Sequence, residues 1–204
     1  MLDSLLRPSI DPPLKAMAAV LYRWGVSANM LTAVGFVFSL CSFAALGFAY
    51  YGWALIFLAV SRLMDGLDGT VARLSQPTDL GGFYDIVSDF IFYSGIAFFF
   101  AVGRPEFALS AAFLVFSFVG TGSSFLAYAI LAAKNAKTLS PQQNNKSFVY
   151  LGGLTEGSES ILALVLICLF PDQFNWIAYS FGILCWLTTC GRVAAASRDF
   201  GNKA

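Results

Sequence analysis

The residues with chemistry to offer lie in one run, DGLDGTVARLSQPTDLGGFYDIVSD, where Asp65, Asp68, Asp85 and Asp89 stand beside long apolar segments. Asp65 and Asp68 are three apart and Asp85 and Asp89 four apart, so on helices each pair shares a face, and Gly69 and Gly82 fall on those same faces. Between the pairs, Leu74 to Gly81 is rich in Ser, Gln, Pro, Thr, Asp and Gly, which predicts a loop that reverses the chain. Two antiparallel helix ends would then gather four acids. Carboxylates confined together repel unless cations neutralise them, and an all-oxygen ligand set selects hard ions such as Mg2+, Mn2+ or Ca2+. Two such ions about 4 Å apart would clamp a phosphoryl or pyrophosphoryl group. The glycines would leave room above the acids for a flat base or a ribose. Asp89, one turn deeper than Asp85, would be held back from the metals as a general base. The same acids could instead cap helix ends or pair with Arg62 and Arg73. Each acid at the centre of a membrane span costs about 2.5–3.5 kcal/mol, however, so the full set calls for a stronger reason.

Asp65-x-x-Asp68-Gly69-x-x-Ala72-Arg73, followed after eight residues by Gly82 and then by Asp85-x-x-x-Asp89, resembles the signature of the CDP-alcohol phosphotransferases, also called CDP-alcohol phosphatidyltransferases. The resemblance implies an integral membrane enzyme that moves a phosphate-linked group from a CDP-alcohol to an acceptor alcohol and releases CMP. Carried over residue by residue, it makes Asp65, Asp68 and Asp85 metal ligands, with Asp89 joining them or acting as the base. It places Gly69, Ala72, Arg73 and Gly82 around the cytidine diphosphate, and it implies a homodimer.

The elements that must position these residues are membrane helices. A chain of 204 residues that is 58% hydrophobic, 12% charged and without His is too apolar for a soluble domain of this length. Its formal net charge is zero, which gives no support to a nucleic-acid partner. Cys41, Cys168, Cys185 and Cys190 sit in apolar stretches with no metal-ligand spacing and read as packing or lipid-facing residues. Two regions are expected. Residues 1–26 form an N-terminal interfacial amphipathic helix, in one or two pieces because of Pro8, Pro12 and Pro13, with no cleavage site of the signal-peptide kind. Residues 27–204 form an all-α catalytic bundle of six transmembrane helices, roughly 28–50, 53–73, 82–102, 106–132, 155–171 and 174–196. With six spans, Arg7, Lys15, Arg23, Arg73, Lys134, Lys137, Lys146, Arg198 and Lys203 fall on or near one side, and Arg104 alone is clearly on the other. The positive-inside rule then puts the termini and the acids in the cytoplasm, in a bacterial inner membrane.

Other polar groups are less specific. Ser117, Thr121, Ser124 and Tyr128 make a stripe that could line a cavity but that reads first as helix packing. Glu156 and Glu159 open the fifth span, where they would complement a helix dipole; Glu156 also resembles part of an acceptor site in aminoalcohol members of the family. Arg62, Lys134, Lys146, Arg192 and Arg198 could bind a phosphorylated acceptor, or pair with acids and snorkel to head groups. The acceptor site is therefore assigned to Glu156, Lys146 and Arg62.

The resulting expectation is a Mg2+- or Mn2+-dependent transferase of phospholipid synthesis, with CDP-diacylglycerol as donor and membrane lipids around it. A soluble CDP-aminoalcohol with diacylglycerol as acceptor is the alternative within the class. A cation transporter or channel is the alternative outside it, and the gathering of the acids near one membrane face argues against a pathway with groups at several depths.

Overall fold

In the computed structural model, residues 2–135 and 155–201 are described, with the side chains of residues 2–7 excepted. Lys146 and Lys137 lie outside the described residues. Among the described residues the chain is helical and without strands: α1 (Leu2–Arg23), α2 (Ala28–Gly47), α3 (Tyr51–Ser75), α4 (Asp79–Gly103), α5 (Ala108–Asn135), α6 (Gly157–Leu169) and α7 (Phe174–Phe200). Short 3-10 turns at Pro105–Phe107 and Pro171–Gln173 lead into α5 and α7. Ala28–Gly47, Asp79–Gly103, Pro105–Asn135 and Pro171–Phe200 are long and apolar enough to cross a membrane. The expected six spans are thus met in part. Gly157–Leu169 is apolar but shorter, and α3 carries Arg62, Asp65, Asp68 and Arg73 along its second half, which lowers its hydropathy.

The helix boundaries follow from local chemistry. Ser27 caps α2, accepting a hydrogen bond from the Met30 amide at 3.3 Å, and Thr78 caps α4, accepting from the Gly81 amide at 3.1 Å. That second cap makes the reversal tighter than the sequence predicts. Only Gln76, Pro77 and Thr78 separate α3 from α4, so Gly81 and Gly82 belong to the first turn of α4 and not to a loop. The N-terminal segment is helical as expected, and it runs as one piece through Pro8, Pro12 and Pro13. Those prolines are exposed, so water can satisfy the carbonyls that lose their amide partners.

Leu14, Ala18 and Leu21, at helical spacing on α1, pack with Leu31 of α2 and with Leu67 and Val71 of α3. The N-terminal helix thus braces the segment of α3 that bears the acids. The main core is formed by Phe43 and Leu46 of α2, Leu58 of α3, Phe92, Ile96 and Phe100 of α4, Leu114 of α5, Leu164 and Ile167 of α6, and Phe174 of α7. Phe100 and Phe174 stack with centroids 4.0 Å apart, tying α4 to α7. Val37, Phe98, Leu109, Val119 and Trp176 are exposed, as a surface facing lipid requires. On α5, Thr121 accepts hydrogen bonds from Arg192 of α7 at its carbonyl (2.9 Å) and hydroxyl (3.1 Å), and the Tyr128 hydroxyl donates to Asp199 at 2.6 Å. The polar stripe of α5 therefore works as helix packing against α7. The cysteines are free, with Cys168 and Cys185 buried.

Candidate active site

Close approach of α2 to α3 sets the geometry of the acids. At Gly35 a Cβ would lie 3.1 Å from Cβ of Met64 and 3.4 Å from the Ser61 carbonyl oxygen, so glycine lets the two helices touch there. One turn further along α2, Ser39 and Ser61 share a hydrogen bond of 2.8 Å. In the other direction, the Thr32 hydroxyl donates to Oδ2 of Asp68 at 2.6 Å. Asp68 is only 4% exposed, so this bond holds a carboxylate that has little access to water.

Across the reversal, α4 brings Asp85 to the α3 pair. Asp65, Asp68 and Asp85 each offer an oxygen, and these oxygens lie within 4.8 Å of one another. The set is all carboxylate, the donor chemistry that Mg2+, Mn2+ and Ca2+ take, and the spacing lets one ion reach all three. The residues present therefore fit a hard divalent cation.

Asp89 stands apart from that triad. Its Oδ1 accepts a 2.5 Å hydrogen bond from Nη1 of Arg62, and the same Nη1 is 3.5 Å from Oδ2 of Asp65. Arg62, an expected acceptor-site residue, has its guanidinium between two of the acids. Its carbon is 3.8 Å from the centroid of the Phe92 ring. Oδ2 of Asp89 has no hydrogen-bond partner among the described residues.

Beside the triad a cavity of about 380 Å³ opens, within the range of small-ligand sites. It is lined from α3 by Asp68, Gly69, Ala72 and Arg73, and from α4 by Gly81, Gly82 and Asp85. All four residues expected around the cytidine diphosphate thus border one space. At Gly82 an added Cβ would meet nothing within 4 Å, and at Gly69 it would meet only Nη1 of Arg73, at 3.7 Å. Both glycines face open volume. Gly81, four residues before Asp85, behaves differently: a Cβ there would stand 3.0 Å from Oδ1 of Asn29 and from Oγ1 of Thr78.

Asn29 and Thr32 are the contributions that sequence reasoning missed. Both come from the first turns of α2, more than thirty residues before the acids, and both line the cavity. The Ser27-Ala28-Asn29 start signal located that helix end but carried no sign of what it would face. Of the remaining acceptor candidates, Glu156 is not among the residues that line the cavity. Glu156 forms a capping box at α6, where its side chain accepts from the backbone of Glu159 and the Glu159 carboxylate accepts from the Glu156 amide at 3.2 Å. Lys146 lies outside the described residues.

Comparison with known proteins adds the family. The model of the CDP-alcohol phosphatidyltransferase family matches residues 25–190. The chain is 49% identical over 194 residues to the inner membrane protein YnjF of Escherichia coli (strain K12), covering 95% of this chain and 94% of that protein. It is 28% identical over 196 residues to the archaetidylinositol phosphate synthase of Pyrococcus horikoshii, covering 96% of each. No solved structure matches the chain significantly.

Proposed function

Since the chain belongs to the CDP-alcohol phosphatidyltransferase family, we propose that it transfers a phosphatidyl group from CDP-diacylglycerol to an acceptor alcohol, releasing CMP. The observation that carries this reading is the triad of Asp65, Asp68 and Asp85, whose two cavity-lining members stand beside a space bordered by Gly69, Ala72, Arg73 and Gly82. Mg2+ or Mn2+, when held by the triad, supplies positive charge for the donor diphosphate and for the departing CMP. The protein's own residues do the rest. Gly69 and Gly82 leave the backbone bare where the nucleotide lies, Arg73 offers a cation at the cavity edge, and Asn29 and Thr78 offer polar edges to the base or ribose.

In the transfer, the acceptor hydroxyl oxygen bonds to the β phosphorus as the bond from that phosphorus to the oxygen bridging it to the α phosphate breaks, and CMP leaves with the electron pair. Oδ2 of Asp89 takes the hydroxyl proton. That role suits its place, since Oδ1 is anchored by Arg62 and the carboxylate stands outside the triad.

The protein sits in a bacterial inner membrane as a homodimer, with six spans and with its termini and acids facing the cytoplasm. The location is supported by the inner membrane relative, the orientation by the bias of basic residues, and the dimer by family resemblance. A relative named archaetidylinositol phosphate synthase puts phosphorylated alcohols first among the acceptors to try. The test is a head-group screen: labelled CDP-diacylglycerol, purified protein, Mg2+ or Mn2+ and a panel of acceptors, read by the mass of the lipid formed. A new phospholipid with one acceptor class supports the reading. Lipid products only from CDP-aminoalcohols and diacylglycerol would replace it.

A further inference from the structure

Apolar length is uneven around the bundle. On α4 the stripe of Leu80, Tyr84, Val87, Ile91, Phe98 and Val102 is exposed at each residue, and it rises about 33 Å, enough for the roughly 30 Å core of a bilayer. α3 and α6 offer far less. From Tyr51 to the residue before Asp65, α3 rises about 21 Å, and α6, with 13 residues, rises about 20 Å. These two short helices pack on each other, and α1 touches both.

α1 marks the height of the lipid surface on the short side. At Gly66 a Cβ would lie 3.4 Å from Cδ1 of Leu14, so α1 rests against α3 at the level of Asp65 and Asp68. Leu14, Ala18 and Leu21 belong to that contact. Ile10, Met17, Val20 and Trp24 adjoin the same stripe at about 100° per residue and are exposed, while Lys15 and Arg23 are exposed on the opposite face. A helix whose apolar arc continues past its protein contact, with cations opposite, lies among head groups with its apolar side sunk about 5–10 Å. We propose that α1, α3 and α6 draw the cytoplasmic leaflet down on their side, so that the lipid surface there stands level with the acids of α3 and not about 9 Å above them. The membrane is thin beside α1 and full beside α4, and the acids lie on the slope between. A donor whose diphosphate reaches the acids then keeps its acyl chains in the leaflet. That use of the slope rests on the transferase reading, whereas the slope itself rests on the helices alone.

The experiment reads depth and activity separately, on the full chain in phosphatidylcholine vesicles. Nitroxides are placed on Leu63→Cys of α3 and on Val87→Cys of α4, with exposed Cys190 and half-buried Cys41 changed to Ser. The contact of Arg62 with Asp89 fixes the relative heights of the two sites, and a flat membrane would leave the label at Leu63 slightly the deeper. Collision with oxygen and with a water-soluble nickel complex should instead find Leu63 nearer the head groups by about 5 Å, one helical turn. Equal depths, or Leu63 the deeper, would overturn the proposal. Met17→Asp with Val20→Asp should remove the difference, and the two labels on the otherwise parent chain decide the slope even where that variant does not fold. For activity, CMP release from CDP-diacylglycerol should be faster in vesicles of short-chain than of long-chain lipid. The double variant should lose about tenfold in vesicles, as withdrawal of two apolar side chains from lipid implies, and stay near the parent in detergent micelles. Equal rates in short- and long-chain vesicles would overturn the link to the donor. No CMP from any preparation, with the depth difference present, would bring down the transferase reading and leave the slope standing.

Discussion

Thr32 offers the sharpest perturbation of the site, because it touches a proposed metal ligand without being one. Its hydroxyl carries one proton and has two acceptors in reach, Oδ2 of Asp68 at 2.6 Å and the Ala28 carbonyl at 3.1 Å. The shorter contact to a charged acceptor takes the proton. Thr32→Val removes the donor and keeps the shape. A hydrogen bond to a charged group contributes about 1.5–3 kcal/mol, and because Asp68 is only 4% exposed, water is poorly placed to substitute. Part of that energy orients the carboxylate toward the other two acids. Loss of an outer partner of this kind lowers metal affinity or activity roughly 10- to 100-fold. Titration of Mn2+ against CMP release, paired with direct Mn2+ binding, should show the half-saturation point rising by that factor in Thr32→Val, and Thr32→Ser should stay near the parent. A folded Thr32→Val protein with unchanged Mn2+ half-saturation would refute the argument that this hydroxyl sets the geometry of Asp68.

Other residues give further expectations. Asp85→Asn removes a proposed ligand outright, so its loss of metal-dependent activity should exceed the roughly 100-fold typical of outer-shell partners, with the helical circular dichroism of the parent retained. Gly69→Leu puts a branched side chain into the cavity and should raise the KM for the CDP-linked donor while Mn2+ binding persists; an unchanged KM would contradict the placement of the nucleotide. Ala49, in the link between α2 and α3, has φ of 58°, a left-handed conformation that costs a residue with a Cβ about 1–2 kcal/mol. Ala49→Gly should therefore raise the thermal midpoint in detergent by a few degrees, and a lower midpoint would argue against strain at that position.

Much of this architecture was legible in the residues. Three- and four-residue spacing of the acids on apolar helices placed Asp65, Asp68 and Asp85 together, because a helix fixes which side chains share a face. Gly69 and Gly82 were legible for the same reason. The reversal was harder: Leu74 to Gly81 has the composition of a loop, and only the cap at Thr78 shows that α4 starts at Asp79. Thr32 and Asn29 were out of reach, since nothing in the first turns of α2 signals which helix they will face. Arg62 was visible as a cation one turn before Asp65, but whether it turns to the acids or to head groups depends on Phe92 and Ser61, contacts made only once α3 and α4 pack. Glu156 shows the converse. Its spacing to Glu159 fits both an acceptor site and a helix start, and the hydrogen bonds of a cap are among those formed.

The most direct test of a CDP-alcohol transferase built on the acidic triad is the release of CMP by the purified protein from CDP-diacylglycerol, with acceptor, in Mg2+ or Mn2+ and again after chelation. CMP should appear in equal amount to the new lipid, abolished by chelator and restored by either ion. A folded protein that releases no CMP with any pairing of donor and acceptor, and that in liposomes passes cations until Asp68→Asn stops the flux, would contradict it.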